Sequence, residues 1–320
     1  MEWFISHRSA LEFWRRSPAK VSLARKPRGK ALPRKPRDSK ALPKAAERFT
    51  LPLHILVGSD NARKVSCDLR SHINAGTFPR GSFVQGGTGL IMSSPELCFL
   101  QMASELSLAE LIMLGFELCG TYRIDKISEP DKGFRNDLPL TNSAKLDSFI
   151  DRAIGHAGTK RARKALRYIT DGSASPMETV LTMLLTLPYR LGGYGFPMPS
   201  LNYPLFIETN SRSISQKKKY VCDLYWPGEQ IDVEYDSNAF HTASEKMKQD
   251  AKRRNTLSSA GVVSVTVTKD QLQSVSAFHD VAIVLSKLLE KRLQPPMPQF
   301  TARRIELRES VLPKTPRDKP

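Results

Sequence analysis

Lys219-Tyr-Val-Cys-Asp-Leu-Tyr-Trp226, then Pro227-Gly-Glu-Gln230, then Ile231-Asp-Val-Glu-Tyr-Asp236 is the stretch that decides how the C-terminal half folds. Two runs rich in β-branched and aromatic residues flank a turn-forming tetrapeptide, the pattern of a β-hairpin. If the loop has four residues, Trp226 pairs with Ile231. Counting back along both strands then sets Asp223 opposite Glu234, on one face and about 5 Å apart. A three-residue loop would instead send them to opposite faces. Two carboxylates that close repel unless a cation lies between them. Mg²⁺ fits such a pair, because it takes one or two carboxylates together with water and phosphate oxygens. Alternation also sets Asp232, Glu234 and Asp236 on one face, with Val233 and Tyr235 on the other. Spacing alone slightly favours reading these three acids as the solvated face of an edge strand.

Outward from the hairpin, Ser175-Pro-Met-Glu178 opens an apolar helix through Leu187. A turn-rich stretch from Gly192 to Pro199 leads to a short strand near Leu205–Glu208. Beyond the hairpin come a helix with a basic face (Glu245–Leu257), a buried strand (Val262–Val267) and a final helix (Val275–Leu293). Helix, three strands, helix, strand, helix predicts an α/β fold, a mixed sheet with helices packed on its faces.

These residues resemble a known family. Cys222 to Asp236 followed by Phe240-His241, with Asp250, Arg253, Arg254, Leu257, Gly261 and Val263 downstream and Ser175-Pro-Met-Glu178 and Pro197-Met-Pro199 upstream, is similar to very-short-patch-repair-like endonucleases of the PD-(D/E)XK superfamily. The resemblance covers roughly Ser173 to Leu293 and implies a restriction-endonuclease-like fold. It implies Mg²⁺ or Mn²⁺ on Asp223 and Glu234, with Glu178 approaching from the first helix and Asp236 supporting the site. His241 is then a proton donor or acceptor, and Arg253 and Arg254 face phosphate. The implied reaction is hydrolysis of DNA phosphodiester bonds by water that the metal activates. The chain departs from the family at Ser237, where a Gly is usual, and at Thr266, where a basic residue is common. The superfamily's catalytic Lys position, two after Glu234, holds Asp236, and Lys217, Lys218 and Lys219 are the cations available to substitute.

The remainder is read from composition and pattern. Of the formal charge of +17, +11 lies between Arg15 and Arg48, where 13 Lys or Arg face only Asp38 and Glu47. Within this stretch Arg25-Lys-Pro-Arg and Arg34-Lys-Pro-Arg begin two tandem copies of one motif. Proline at that density and repulsion between cations predict an extended arm over 16–48. As a functional feature it suits phosphate contacts that are blind to DNA sequence; a solvated linker is the other reading. Residues 1–15 read as a short helix anchored by Trp14, 49–170 as a smaller mixed α+β/helical domain, 171–295 as the nuclease-fold domain and 296–320 as a flexible basic tail. In the 49–170 block Leu53–Val57 is a strand, Ser94-Pro95 opens one helix and Ser107-x-x-Glu110 caps another. His54, His72 and His156 lack the spacing of metal ligands and read as structural residues. Met92-Ser-Ser-Pro-Glu-Leu-Cys98 carries a weaker resemblance of the whole chain to actinobacterial abortive-infection-antitoxin-like proteins. The four scattered cysteines show no C-x-x-C pairing and read as free, buried thiols. No apolar run suits a membrane span and no signal-peptide pattern is present, which predicts a cytoplasmic protein. Two functions remain open: a metal-dependent DNA endonuclease, or a DNA-binding regulator or antitoxin-like protein that keeps the nuclease fold without cleaving.

Overall fold

Three buried residues, Trp3–Ile5, form strand β1 and pair on both sides, antiparallel to β2 (Leu53–Val57) and parallel to β5 (Leu90–Ser93). In the computed structural model, which describes residues 2–17, 32–35, 42–74, 76–211, 214–236, 244–295 and 297–313, β1 is the middle of a five-stranded mixed sheet. With β3 (Leu69–Ile73) and β4 (Phe83–Gly87) the order is β3-β2-β1-β5-β4. The expectation of only a helix over residues 1–15 is corrected here: a strand of three residues is too short for its alternation to register. Helix α1 (His7–Arg16) follows, and Trp14 is buried with its indole N–H donating to the Ser93 carbonyl.

The chain forms two compact units, Met1–Ile169 and Thr170–Pro320. The first continues through α2 (Pro95–Met102) and α3 (Leu108–Cys119), a small hairpin of β6 (Tyr122–Ile124) and β7 (Phe134–Asn136), then α4 (Ser143–Arg152) and α5 (Thr159–Leu166). Ser107 and Glu110 form the reciprocal capping box that their spacing predicts, and Ser94 caps α2 through the Leu97 N–H. Parts of the presumed arm belong to this unit. Leu32 packs beside the cluster of Phe4, Leu56 and Ile91, the Pro33 carbonyl accepts from the Gly58 N–H, and Lys44–Ala46 form a 3₁₀ turn. Burial of Leu32 gives a local reason for docking that the surrounding charge conceals.

The second unit runs α6 (Pro176–Thr186), β8 (Ser200–Ser211), β9 (Ile214–Trp226), β10 (Ile231–Asp236), α7 (Ser244–Ser259), β11 (Val263–Thr268), α8 (Lys269–Gln273), α9 (Val275–Leu288) and α10 (Pro298–Val311). Its sheet is mixed, in the order β11-β10-β9-β8. The α/β class with mixed sheets and flanking helices is thus as expected. Strands β8 and β9 are longer than predicted, because polar residues from Thr209 to Lys219 hide the alternation. Residues 298–311 are a helix where a flexible tail was expected. Leu307 and Val311 are buried, and Arg304 and Arg308 lay their guanidinium groups over Tyr194 and Phe278. Among the described residues no helix is long and apolar enough to cross a membrane.

Because Ile5 is fully buried in the central strand, Ile5→Ala is expected to destabilise the first unit by ~2–5 kcal/mol. Urea unfolding followed by tryptophan fluorescence measures this, and a loss below ~1 kcal/mol would contradict a central β1.

Candidate active site in residues 170–320

The hairpin has the register of a four-residue loop: Trp226 pairs with Ile231, Tyr225 with Asp232 and Leu224 with Val233. The ladder stops there, one step short of Asp223 and Glu234. In place of the next backbone bond, the Tyr235 N–H donates to Asp223 Oδ2 at 3.1 Å. On the other side of β9, the β8 ladder skips the step at Asn202, whose φ of 47° lies in the left-handed region. Cys222 and Tyr225 pack into one cluster with Leu257, although an unbroken strand would send them to opposite faces. A local break in β9 at Asp223 accounts for all three observations.

Four acids gather around this break. Asp223 is half-buried, and its carboxyl is pushed up to about 7 by burial and then by the nearby charge of Glu178, with Glu234 adding to it. Asp232 is fully buried, and its carboxyl lies against Glu234 and the Cys222 thiol. Burial first, then the charge of Glu234, holds the Asp232 carboxyl far above its usual range. Glu178 is buried at the start of α6, where its Oε2 accepts from the Ala174 N–H at 2.9 Å and from Asn202 Nδ2 at 2.7 Å. Its own N–H donates to Ser175 Oγ, so Ser175 caps the helix while the Glu178 carboxylate is held from outside it. Glu234 forms an ion pair with Arg253 of α7, whose guanidinium also donates to the Val221 carbonyl.

Expecting Asp232, Glu234 and Asp236 to be a solvated edge is therefore a correction. β11 pairs in parallel along the whole of β10, from Ile231↔Val263 to Asp236↔Thr268, so β10 lies inside the sheet. Burial falls along the strand from Asp232, which is sealed, to Glu234 and Asp236, which are half-buried. Asp232 is the residue that sequence reasoning missed. The run Val262–Val267, expected as a buried strand, is corrected: β11 is the edge strand of the sheet, with Val263 and Thr266 exposed, because among the described residues nothing pairs with it beyond β10.

Other expected site residues are dispersed. Arg253 turns toward the acids, whereas Arg254 is exposed on α7. Lys218 and Lys219 are exposed on β9, facing Ile207 and Phe206 in register, and Lys217 pairs with Glu208 with its side chain outside the described residues. Arg34 is exposed in the docked segment, its carbonyl accepting from Ser59 Oγ. His241, Ser237 and Arg25 lie outside the described residues. Of the cysteines, Cys98, Cys119 and Cys222 are buried as expected and Cys67 is exposed.

The donor set is compatible with an oxygen-seeking divalent ion in one respect and incomplete in another. A sealed carboxyl that keeps its proton beside two more acids is a place where a cation would favour the ionised forms. Among the described residues, however, these acids do not bring ligand atoms of three residues within 4.8 Å of one another. The Arg253 guanidinium takes up part of the charge of Glu234 in the meantime. Comparison of the chain with protein-family models, curated proteins and solved structures finds no match.

Raised carboxyl pKa values mean that the folded state holds its protons more tightly than the unfolded state. Stability without divalent ions should therefore fall as pH rises from about 4 toward 7, the interval between the ordinary Asp value and that of Asp223. Asp232→Asn should flatten this fall and raise the melting temperature at pH 8. Thermal melts in EDTA from pH 4 to about 9, the value to which Asp232 is raised, decide it, and an unchanged slope in the variant would clear Asp232 of the role.

Proposed function

We propose that residues 170–320 carry a metal-dependent endodeoxyribonuclease of the very-short-patch-repair-like, restriction-endonuclease-like kind. The observation that carries this reading is the sealed Asp232 carboxyl packed beside Asp223 and Glu234. Crowding acids away from water is costly, and a phosphodiesterase centre gives that cost a use. The helix, three strands, helix and strand running from α6 to β11 support the fold assignment.

Asp223 and Glu234 are the residues that would hold Mg²⁺ or Mn²⁺, and such an ion supplies Lewis acidity toward a phosphodiester. Glu178, fixed by Ala174 and Asn202, keeps negative charge beside Asp223 and orients the break in β9. Arg253 neutralises Glu234 in the free protein and is positioned to turn to a substrate phosphate. The exposed Lys218, Lys219 and Arg254 add phosphate contacts. In the first unit, Lys160, Lys164 and Arg167 are exposed at i, i+4 and i+7 along α5 and its C-cap, a single basic ridge for a nucleic-acid backbone.

One observation favours the second reading, a DNA-binding regulator or antitoxin-like protein that no longer cleaves. The Glu234–Arg253 ion pair closes the charge balance of Glu234 without a metal. Incubating supercoiled plasmid with the full chain and Mg²⁺ or Mn²⁺ separates the two. Nicking should occur and should fall in Glu234→Ala by more than the ~10–100-fold typical of a supporting residue. Pure protein that binds DNA yet nicks none with either ion establishes the binding function in its place.

Binding itself has an independent signature. Replacing Lys160, Lys164 and Arg167 together by Ala should weaken DNA affinity regardless of sequence and lower the salt slope by up to about 3. Fluorescence anisotropy from 50 to 200 mM salt is the measurement, and an unaltered slope would exclude the ridge.

A further inference from the structure

The first unit gathers three histidines that lie far apart in the sequence. His7 is the first residue of α1, His54 lies on β2 and His72 on β3. The rings of His7 and His72 stack with centroids 3.5 Å apart and planes inclined by 14°. His72 Nε2 lies 3.0 Å from His54 Nδ1, so one of the two donates to the other. Glu105, in the loop between α2 and α3, places Oε1 3.9 Å from His54 Nδ1, and its Oε2 accepts from Arg8 Nε at 2.8 Å. One ligand atom each from His7, His72 and Glu105 lies within 4.8 Å of the other two, and among the described residues no other set of three does so.

Two further features separate this cluster from ordinary packing. His7 has a φ of 48°, a left-handed conformation that is uncommon outside glycine. It is held there by its N–H donating to Gln101 Oε1 and by the contact of its Nδ1 with Ser6 Oγ. That contact occupies Nδ1 and leaves Nε2 as the free ring nitrogen. Secondly, His7 and His72 line a cavity of about 340 Å³ whose wall also includes Ser71, Asn74, Gln101 and His156.

We propose that His7, His72 and Glu105 form a binding site for a zinc-class divalent ion, open on one side to the adjacent cavity. Two imidazoles and one carboxylate suit zinc-class ions, whereas the all-oxygen acids of the second unit suit Mg²⁺ or Mn²⁺. Three protein ligands beside a cavity leave a coordination position for a small oxygen or nitrogen ligand, the pattern of a reactive rather than a purely structural centre. Parallel stacked rings direct their lone pairs side by side, so binding requires one ring to turn. His72 Nε2, now hydrogen-bonded to His54 Nδ1, is the nitrogen that turns to the ion. Glu105 uses the oxygen nearer the histidines and keeps the other on Arg8. This site is independent of the nuclease reading.

The test uses untagged full-length protein carrying Asp223→Asn and Glu234→Gln, which removes the other carboxylate ligands, stripped with a chelator and then dialysed. Titration with Zn²⁺ by calorimetry should give one equivalent per chain. Co²⁺ should give visible absorption bands of a four- or five-coordinate ion with nitrogen ligands. His72→Gln and Glu105→Gln should each weaken binding by on the order of 100-fold and remove the bands. Circular dichroism reports whether each variant folds; if His72→Gln does not, Glu105→Gln decides, because its side chain is partly exposed. The proposal is overturned if stoichiometric Zn²⁺ binding is absent, or if it persists unweakened in a folded Glu105→Gln protein.

Discussion

The parallel pairing of β10 with β11 is the constraint on which the candidate active site depends. Every residue of β10, from Ile231 to Asp236, has a partner on β11, while β9 covers the other edge at Ile231, Asp232 and Val233. Asp232 pairs with Tyr225, whose cluster with Cys222, Leu257 and Val262 covers that part of the sheet, and its carboxyl is sealed.

Desolvated charge then organises its surroundings. Asp223 departs from the ladder and accepts the Tyr235 N–H, Glu178 is fastened by Ala174 and Asn202, and Glu234 draws Arg253 across from α7. Each is a local answer to the same problem, since acids crowded away from water cost more than the backbone irregularities that relieve them. The break in β9 and the positive φ of Asn202 are such irregularities, and both fall where the acids meet. Backbone irregularity of this kind concentrates at functional sites, where the surrounding structure over-determines it.

The first unit handles polarity differently. Buried Glu117 is paired with Arg15, and buried Asp125 with Arg135. Its buried histidines stack and hydrogen-bond with one another.

Much of the second unit was legible in the sequence. The limits of β10, the Trp226–Ile231 register and the order of helices and strands follow from short-range rules: alternation, the length of the Pro227–Gln230 loop, and capping by Ser175. Three things were not legible. Trp3–Ile5 is a central strand only because β2 and β5 flank it, and no local pattern carries that. The helix at 298–311 is held by Arg304 and Arg308 over aromatic rings, contacts that span some 30 to 110 residues and leave no periodic mark. His7, His54 and His72 have no ligand-like spacing, because strand pairing and the start of α1 bring them together. The sequence by itself determined where the acids of β9 and β10 lie and how those strands pair. Only the tertiary structure decided which of them are denied water, because burial depends on the neighbours on either side, and those come from distant parts of the chain.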